Sequence, residues 1–131
     1  MSEPPERSVV ALEWLALADD DLQSARELAG SGHWRQASFL SQQAAEKYIK
    51  ALLTFRQIPF TRTHDLETLA ALLKDAKELG LLREDVLDLS EYAVDARYPG
   101  LDASLIDKDD ALRASLAAAH VSQVIHKTLQ F

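Results

Sequence analysis

The chain has 131 residues, with no cysteine, four glycines and four prolines. Disulfides, thiolate metal sites and cysteine nucleophiles are thereby excluded, and the scarcity of turn residues argues against a sandwich or barrel with many tight turns. With 47% hydrophobic and 27% charged residues, the composition is that of an ordinary soluble domain, long enough to bury about two thirds of its unfolded surface without a disulfide or metal staple.

The formal net charge is -7, which disfavours generic binding to nucleic acid or anionic membrane. The charge is unevenly spread. Residues 33–64 hold Arg35, Lys47, Lys50, Arg56 and Arg62 against Glu46 alone, while the segments on either side are acidic. Such a block suits an anion site or half of a self-complementary interface. A solvated helix face gives the same pattern. Residues 1–7 carry Pro4 and Pro5 and no apolar core. They read as a flexible leader rather than a signal peptide, with a single domain over 8–131. No apolar run approaches the ~18 residues of a membrane span, and the expected location is the cytoplasm.

Helical periodicity starts at Ser8 and runs to about Ala29. Leu12, Leu15, Ala18, Leu22, Ala25 and Ala29 step by three or four, and Gly30-Ser31-Gly32 supplies the stop. A second helix spans about His33 to Arg56. Its stripe is Trp34, Ala37, Ser41, Ala44, Ala45, Tyr48, Ala51, Leu52 and Phe55, with Arg35, Gln42, Lys47 and Lys50 mostly off that face. Pro59 prevents continuation. A loop over Thr61–Asp65 leads to a third helix, with Thr63 as the expected N-cap and Leu66, Leu69, Ala70, Leu73 and Ala76 as its apolar face. Gly80 ends it. A fourth helix is expected over Glu84–Arg97, before Pro99-Gly100. A fifth runs from Asp107 to about Leu129, opened by Asp107, Asp109 and Asp110 where negative charge suits the dipole. No stretch alternates with period two. The expected fold is all-α, an antiparallel up-and-down bundle of about five helices with short connections.

The histidines do not form a metal motif. His120 and His126 are six residues apart on one helix, which is not the i, i+4 spacing a metal favours. Neither a metal nor a cofactor is expected. Chemistry concentrates in two segments. In the second helix, Glu46 and Lys50 form an i, i+4 pair beside Gln42, Gln43 and Lys47. In Tyr92-Ala-Val-Asp-Ala-Arg-Tyr-Pro-Gly100 an arginine occupies the last helical turn. Arg97 there can cap carbonyls, pair with Asp95 or Glu91, reach Glu46 across the bundle, or bind phosphate with its planar fork. Trp14, Leu17, Trp34, Phe39 and Phe131 exceed what the stripes require, and some are expected at an interface.

Together these elements resemble a known family. Ala-x-x-Asp-Leu-x-x-Ala (18–25), Gly-His-Trp-x-x-Ala-x-Phe-x-x-Gln-Gln-Ala-Ala-Glu-Lys-x-x-Lys-Ala-Leu-Leu (32–53), Thr-His-Asp-Leu-x-x-Leu (63–69) and Ala-Arg-Tyr-Pro (96–99) are similar to the prokaryotic HEPN domain over about residues 10–128. The resemblance implies a helical bundle that dimerises. It also implies one of two occupations. One is a metal-independent ribonuclease toxin built on an arginine and a closely following histidine. The other is a small subunit paired with a minimal nucleotidyltransferase, linked to nucleotide binding or toxin–antitoxin pairing. Counting from Arg97, the ribonuclease histidine falls at 102–104, and these positions hold Asp102, Ala103 and Ser104. Proton transfer near neutral pH suits histidine. The leading expectation is therefore a non-catalytic subunit, a homodimer or nucleotidyltransferase partner that binds a nucleotide or RNA phosphate. Arg97 would contact phosphate, Lys47 and Lys50 would add positive field, Glu46 would orient Arg97 and Tyr98 would stack on a base. The alternatives are a ribonuclease completed by a displaced histidine such as His64 or His120, and a purely structural dimerisation module.

Overall fold

A computed structural model of the chain describes residues 6–81, 83–95 and 106–130. These form α1 (Glu6–Gly30), α2 (Trp34–Phe55), α3 (Leu66–Ala71), α4 (Ala76–Leu79), α5 (Arg83–Asp95) and α6 (Lys108–Thr128). The described residues contain helices and connecting turns without strands, and none of their helices is long and apolar enough to cross a membrane. α1 begins at Glu6, two residues ahead of the expected start.

α1 and α2 are antiparallel. Residue pairs run down their seam in opposite senses: Arg7 over Phe55, Trp14 with Lys50, Asp19 with Tyr48, Asp21 with Lys47. His126 meets Asp19, and Ser122 meets Tyr48. α6 thus packs against both α1 and α2. α2 also packs against α3 and α5. It is the central helix, and several of its polar positions (Ser38, Ser41, Gln42, Glu46 and Lys50) are buried as well.

The buried face of α1 is Ser8, Ala11, Leu15, Ala18, Leu22 and Ala25. The sequence periodicity places Leu12 on it, but Leu12 is 44% exposed. Four residues before Leu15 is Ala11, and three before it is Leu12; both spacings are compatible with one helical face. The buried face takes the smaller side chain, Ala11. Both α2 and α6 bury alanines, Ala44, Ala45 and Ala51 on one and Ala111, Ala114, Ala117 and Ala118 on the other. They allow close backbone approach, while Tyr48, Ile49, Leu52, Leu53 and Ile125 fill the core. Each such large side chain contributes about 1.5–3 kcal/mol by leaving water.

The expected third helix is split. A tight turn after Ala71 divides it into α3 and α4, with Leu73 N–H bonded to Ala70 O and Ala76 N–H to Leu73 O. The turn buries Leu73 and presents Asp75 to Arg56 at the C-cap of α2, where the guanidinium donates bidentately at 2.7 and 2.9 Å. The N-cap of α3 is Asp65, not Thr63. The Asp65 carboxylate accepts from the backbone N–H of Glu67 and Thr68, and Thr63 Oγ1 instead accepts from Asp65 N–H at 3.0 Å. α6 opens with a capping box. Asp107 Oδ1 accepts from Asp110 N–H at 2.9 Å, and Asp110 Oδ2 accepts from Asp107 N–H at 3.1 Å.

Candidate functional site

Of the five residues assigned to the binding site from the sequence, Glu46, Lys47 and Lys50 are described. Arg97 and Tyr98 lie outside the described residues, as does Phe131. The side chains of Glu91 and Asp95, read as partners of Arg97, also lie outside them.

The sequence pattern puts Gln42 and Lys50 mostly off the apolar face of α2, with Glu46 beside it. All three are buried instead, Glu46 at 2%, Lys50 at 8% and Gln42 at 0% exposure. Spacing of four stacks them on one face, and the segment after Pro59 covers that face. Glu46 Oε1 accepts from Lys50 Nζ at 2.8 Å and lies 2.9 Å from His64 Nδ1. Glu46 Oε2 accepts from Gln42 Nε2 at 3.3 Å. Gln42 Nε2 also donates to the His64 carbonyl at 3.3 Å, and Gln42 Oε1 accepts from Gln43 at 2.9 Å. The Lys50 ammonium sits 5.3 Å from the Trp14 ring centroid and 6.0 Å from that of Phe60, close enough for cation–π attraction. The buried carboxylate is thus satisfied on both oxygens, as burial requires.

His64 is the part of this network that meets solvent, its side chain 59% exposed. Facing a carboxylate, Nδ1 carries the proton. That leaves Nε2 as an acceptor in the neutral ring and a donor in the charged one. The Thr-His-Asp-Leu motif is the sequence signal for this residue. Its pairing with Glu46, 18 residues earlier, has no local signature.

Lys47 is turned away from Glu46. One step along the helix rotates it about 100°, and it pairs with Asp21 on α1. Three of the five cations of the basic block, Lys47, Lys50 and Arg56, are thus bonded to carboxylates of the same chain. Much of the block's charge complements the protein's own acids. The remaining histidine contacts also join elements: His120 Nδ1 lies 3.3 Å from Asp85 Oδ2 and His126 Nε2 lies 2.8 Å from Asp19 Oδ1. Burial pushes the Asp85 carboxyl above its ordinary range, and the contact with His120 opposes that shift. No group of three or more acidic or histidine side chains among the described residues is placed to hold a metal ion.

Of the large apolar residues expected at the surface, Leu17 is 53% exposed; Leu116, not singled out from the sequence, is 62% exposed. Trp14 packs against the core instead.

Fold and network together define a class: a helical bundle whose central helix carries a buried acid–base network. The chain belongs to the HEPN domain family, whose family model matches residues 11–128. Two solved structures are similar. ST0689, an archaeal HEPN homologue, is 26% identical, with a TM-score of 0.76 over 92% of this chain and 98% of its own. TT1696 from Thermus thermophilus is 28% identical, with a TM-score of 0.75 over 89% of this chain and 96% of its own. No curated protein matches the chain.

Proposed function

We propose that the chain is a non-catalytic HEPN subunit that binds a nucleotide or an RNA phosphate and pairs with a second copy of itself or with a minimal nucleotidyltransferase, as in a toxin–antitoxin module. The observation that carries the reading is the Glu46–His64 pair. A buried carboxylate 2.9 Å from an exposed imidazole holds the ring in one orientation, leaving Nε2 as the ring atom available to hydrogen-bond a ligand. In this reading Arg97 supplies the planar fork for phosphate and Tyr98 the stacking surface for a base. Lys50, held between Glu46 and two aromatic rings, acts by maintaining the charge balance around Glu46. Lys47 adds positive field, moderated by Asp21. The segment that would carry a ribonuclease histidine holds Asp102, Ala103 and Ser104, which favours binding over cleavage.

The same pair supports one other reading. An imidazole oriented by a carboxylate is the usual form of a general base, and it would serve a metal-independent ribonuclease with His64 as the displaced histidine.

Titration of the purified protein with nucleotides and short RNA, with parallel cleavage assays in EDTA, separates the two. Under the binding reading the wild type binds without cleaving, and Arg97→Ala and His64→Ala each weaken binding by about tenfold or more, as loss of a charged hydrogen bond does. Affinity unchanged in Arg97→Ala would remove that residue from the site. Cleavage by the wild type that is lost in both variants would establish the ribonuclease reading. Sedimentation equilibrium tests the pairing: a monomer at micromolar concentration, with no co-purifying partner, overturns it.

A further inference from the structure

A second polar site lies where α1, α2 and α6 meet, apart from the Glu46–His64 network. An open cavity of about 340 Å³ there is lined by Asp19, Gln23, Arg26, Tyr48, Ser122 and Gln123, with Leu22 and Ala119 beneath. The size falls at the lower end of small-molecule sites, about 300–1,000 Å³.

The lining has two chemically different ends. Tyr48 is fully buried on α2, and its hydroxyl donates to Asp19 Oδ1. The same oxygen takes His126 Nε2 at 2.8 Å, and the His126 ring meets the Tyr48 ring edge-on at 5.7 Å. Ser122 adjoins the phenol in the cavity wall. Asp19 is therefore fixed in place by groups from two other helices, through one carboxylate oxygen. At the other end stands Arg26, exposed on α1. Among the described residues it is the one cation of the lining, as Asp19 is the one anion. Gln23 and Gln123 add two neutral amides, and Ser122 a hydroxyl.

This arrangement defines a ligand with two ends. A guanidinium flanked by amide donors suits an oxyanion. A fixed carboxylate beside hydroxyls suits the hydroxyl groups of a polyol, for which it is an acceptor with no proton of its own. With Leu22 and Ala119 as its apolar floor, the cavity offers too little apolar surface for an acyl chain. We propose that this cavity binds a small phosphorylated polyol, of the size and class of a pentose phosphate, with the phosphate on Arg26 and the hydroxyls on Asp19.

The test uses the full chain and three probes: ribose 5-phosphate, ribose and inorganic phosphate, followed by calorimetry and by chemical-shift changes. The wild type should bind ribose 5-phosphate saturably and at least about tenfold more tightly than either fragment, since each end contributes. Because Arg26 is exposed, Arg26→Ala should fold normally and lose that binding. Asp19→Asn should retain phosphate binding and lose the preference for the sugar phosphate. Shift changes should centre on residues 19–26 and 119–123. No saturation at millimolar concentration, or binding unchanged in Arg26→Ala, would overturn the proposal. So would shift changes confined to residues around Glu46 and His64.

Discussion

The Lys50 ammonium lies 2.8 Å from Glu46 Oε1, with only 10% and 3% of the two side chains exposed. An ion pair this well buried is held in place less by its own attraction than by the cost of leaving either charge alone.

The consequence is asymmetric. Glu46→Ala strands a buried lysine and should destabilise the protein by about 3–5 kcal/mol. Adding Lys50→Met should recover most of that loss, because Met fills similar space with no charge to satisfy. Urea unfolding of the two single variants, the double variant and His64→Ala measures this. His64→Ala should cost far less, its side chain being mostly in water. Independent, additive losses for Glu46→Ala and Lys50→Met would contradict the coupling.

Tyr48 predicts the alkaline limb of stability. Burial, first, and then the hydrogen bond to Asp19 push its phenol well above the ordinary tyrosine range, with Ser122 and Arg26 opposing. The folded protein therefore holds this proton more tightly than the unfolded chain does. The stabilisation is complete below the unfolded value, about 10. It is lost as pH rises from there through the higher folded value, because only the unfolded chain gains from ionising. Denaturation midpoints should fall above pH ~10, and Tyr48→Phe should flatten that fall. A tyrosinate absorbance titration that shows no delayed tyrosine in the folded protein would refute the assignment.

Gly80 isolates backbone strain from packing. It caps α4 in the left-handed region, with φ 90°. A Cβ there would meet only Val124 Cγ2, at an ordinary 3.9 Å. Gly80→Ala should therefore cost about 1–2 kcal/mol from conformation alone. Gly80→Asn should cost less, since asparagine visits this region more readily. Equal melting temperatures for the two variants would point to a different cause.

Much of the fold is legible in the chain. Periods of three and four mark the long helices, Gly30-Ser31-Gly32 and Pro59 mark their limits, and the aspartates ahead of α6 announce its start. The split between α3 and α4 has no such marker: residues 72–75 are Leu-Leu-Lys-Asp, without glycine or proline. The turn there accompanies a long-range contact, Arg56 with Asp75. The cap at Asp65 rather than Thr63 is a matter of two residues, within the ordinary spread of helix ends. The site is half legible. The i, i+4 spacing of Gln42, Glu46 and Lys50 places them on one face, but His64, Trp14 and Phe60 reach that face from other elements.

By itself, then, the sequence determined where the long helices α1, α2 and α6 run and the period on which their residues share a face, because both depend on local periodicity and end chemistry. Only the tertiary structure decided which faces are buried. α2 is enclosed by α1, α3, α5 and α6, so its polar side had to be satisfied inside the protein. That converts Glu46, Lys50 and Gln42 from a surface strip into an internal network, and commits Lys47 and Arg56 to Asp21 and Asp75. Helical phase is a property of neighbours in sequence, whereas desolvation depends on every element that closes over a residue in space.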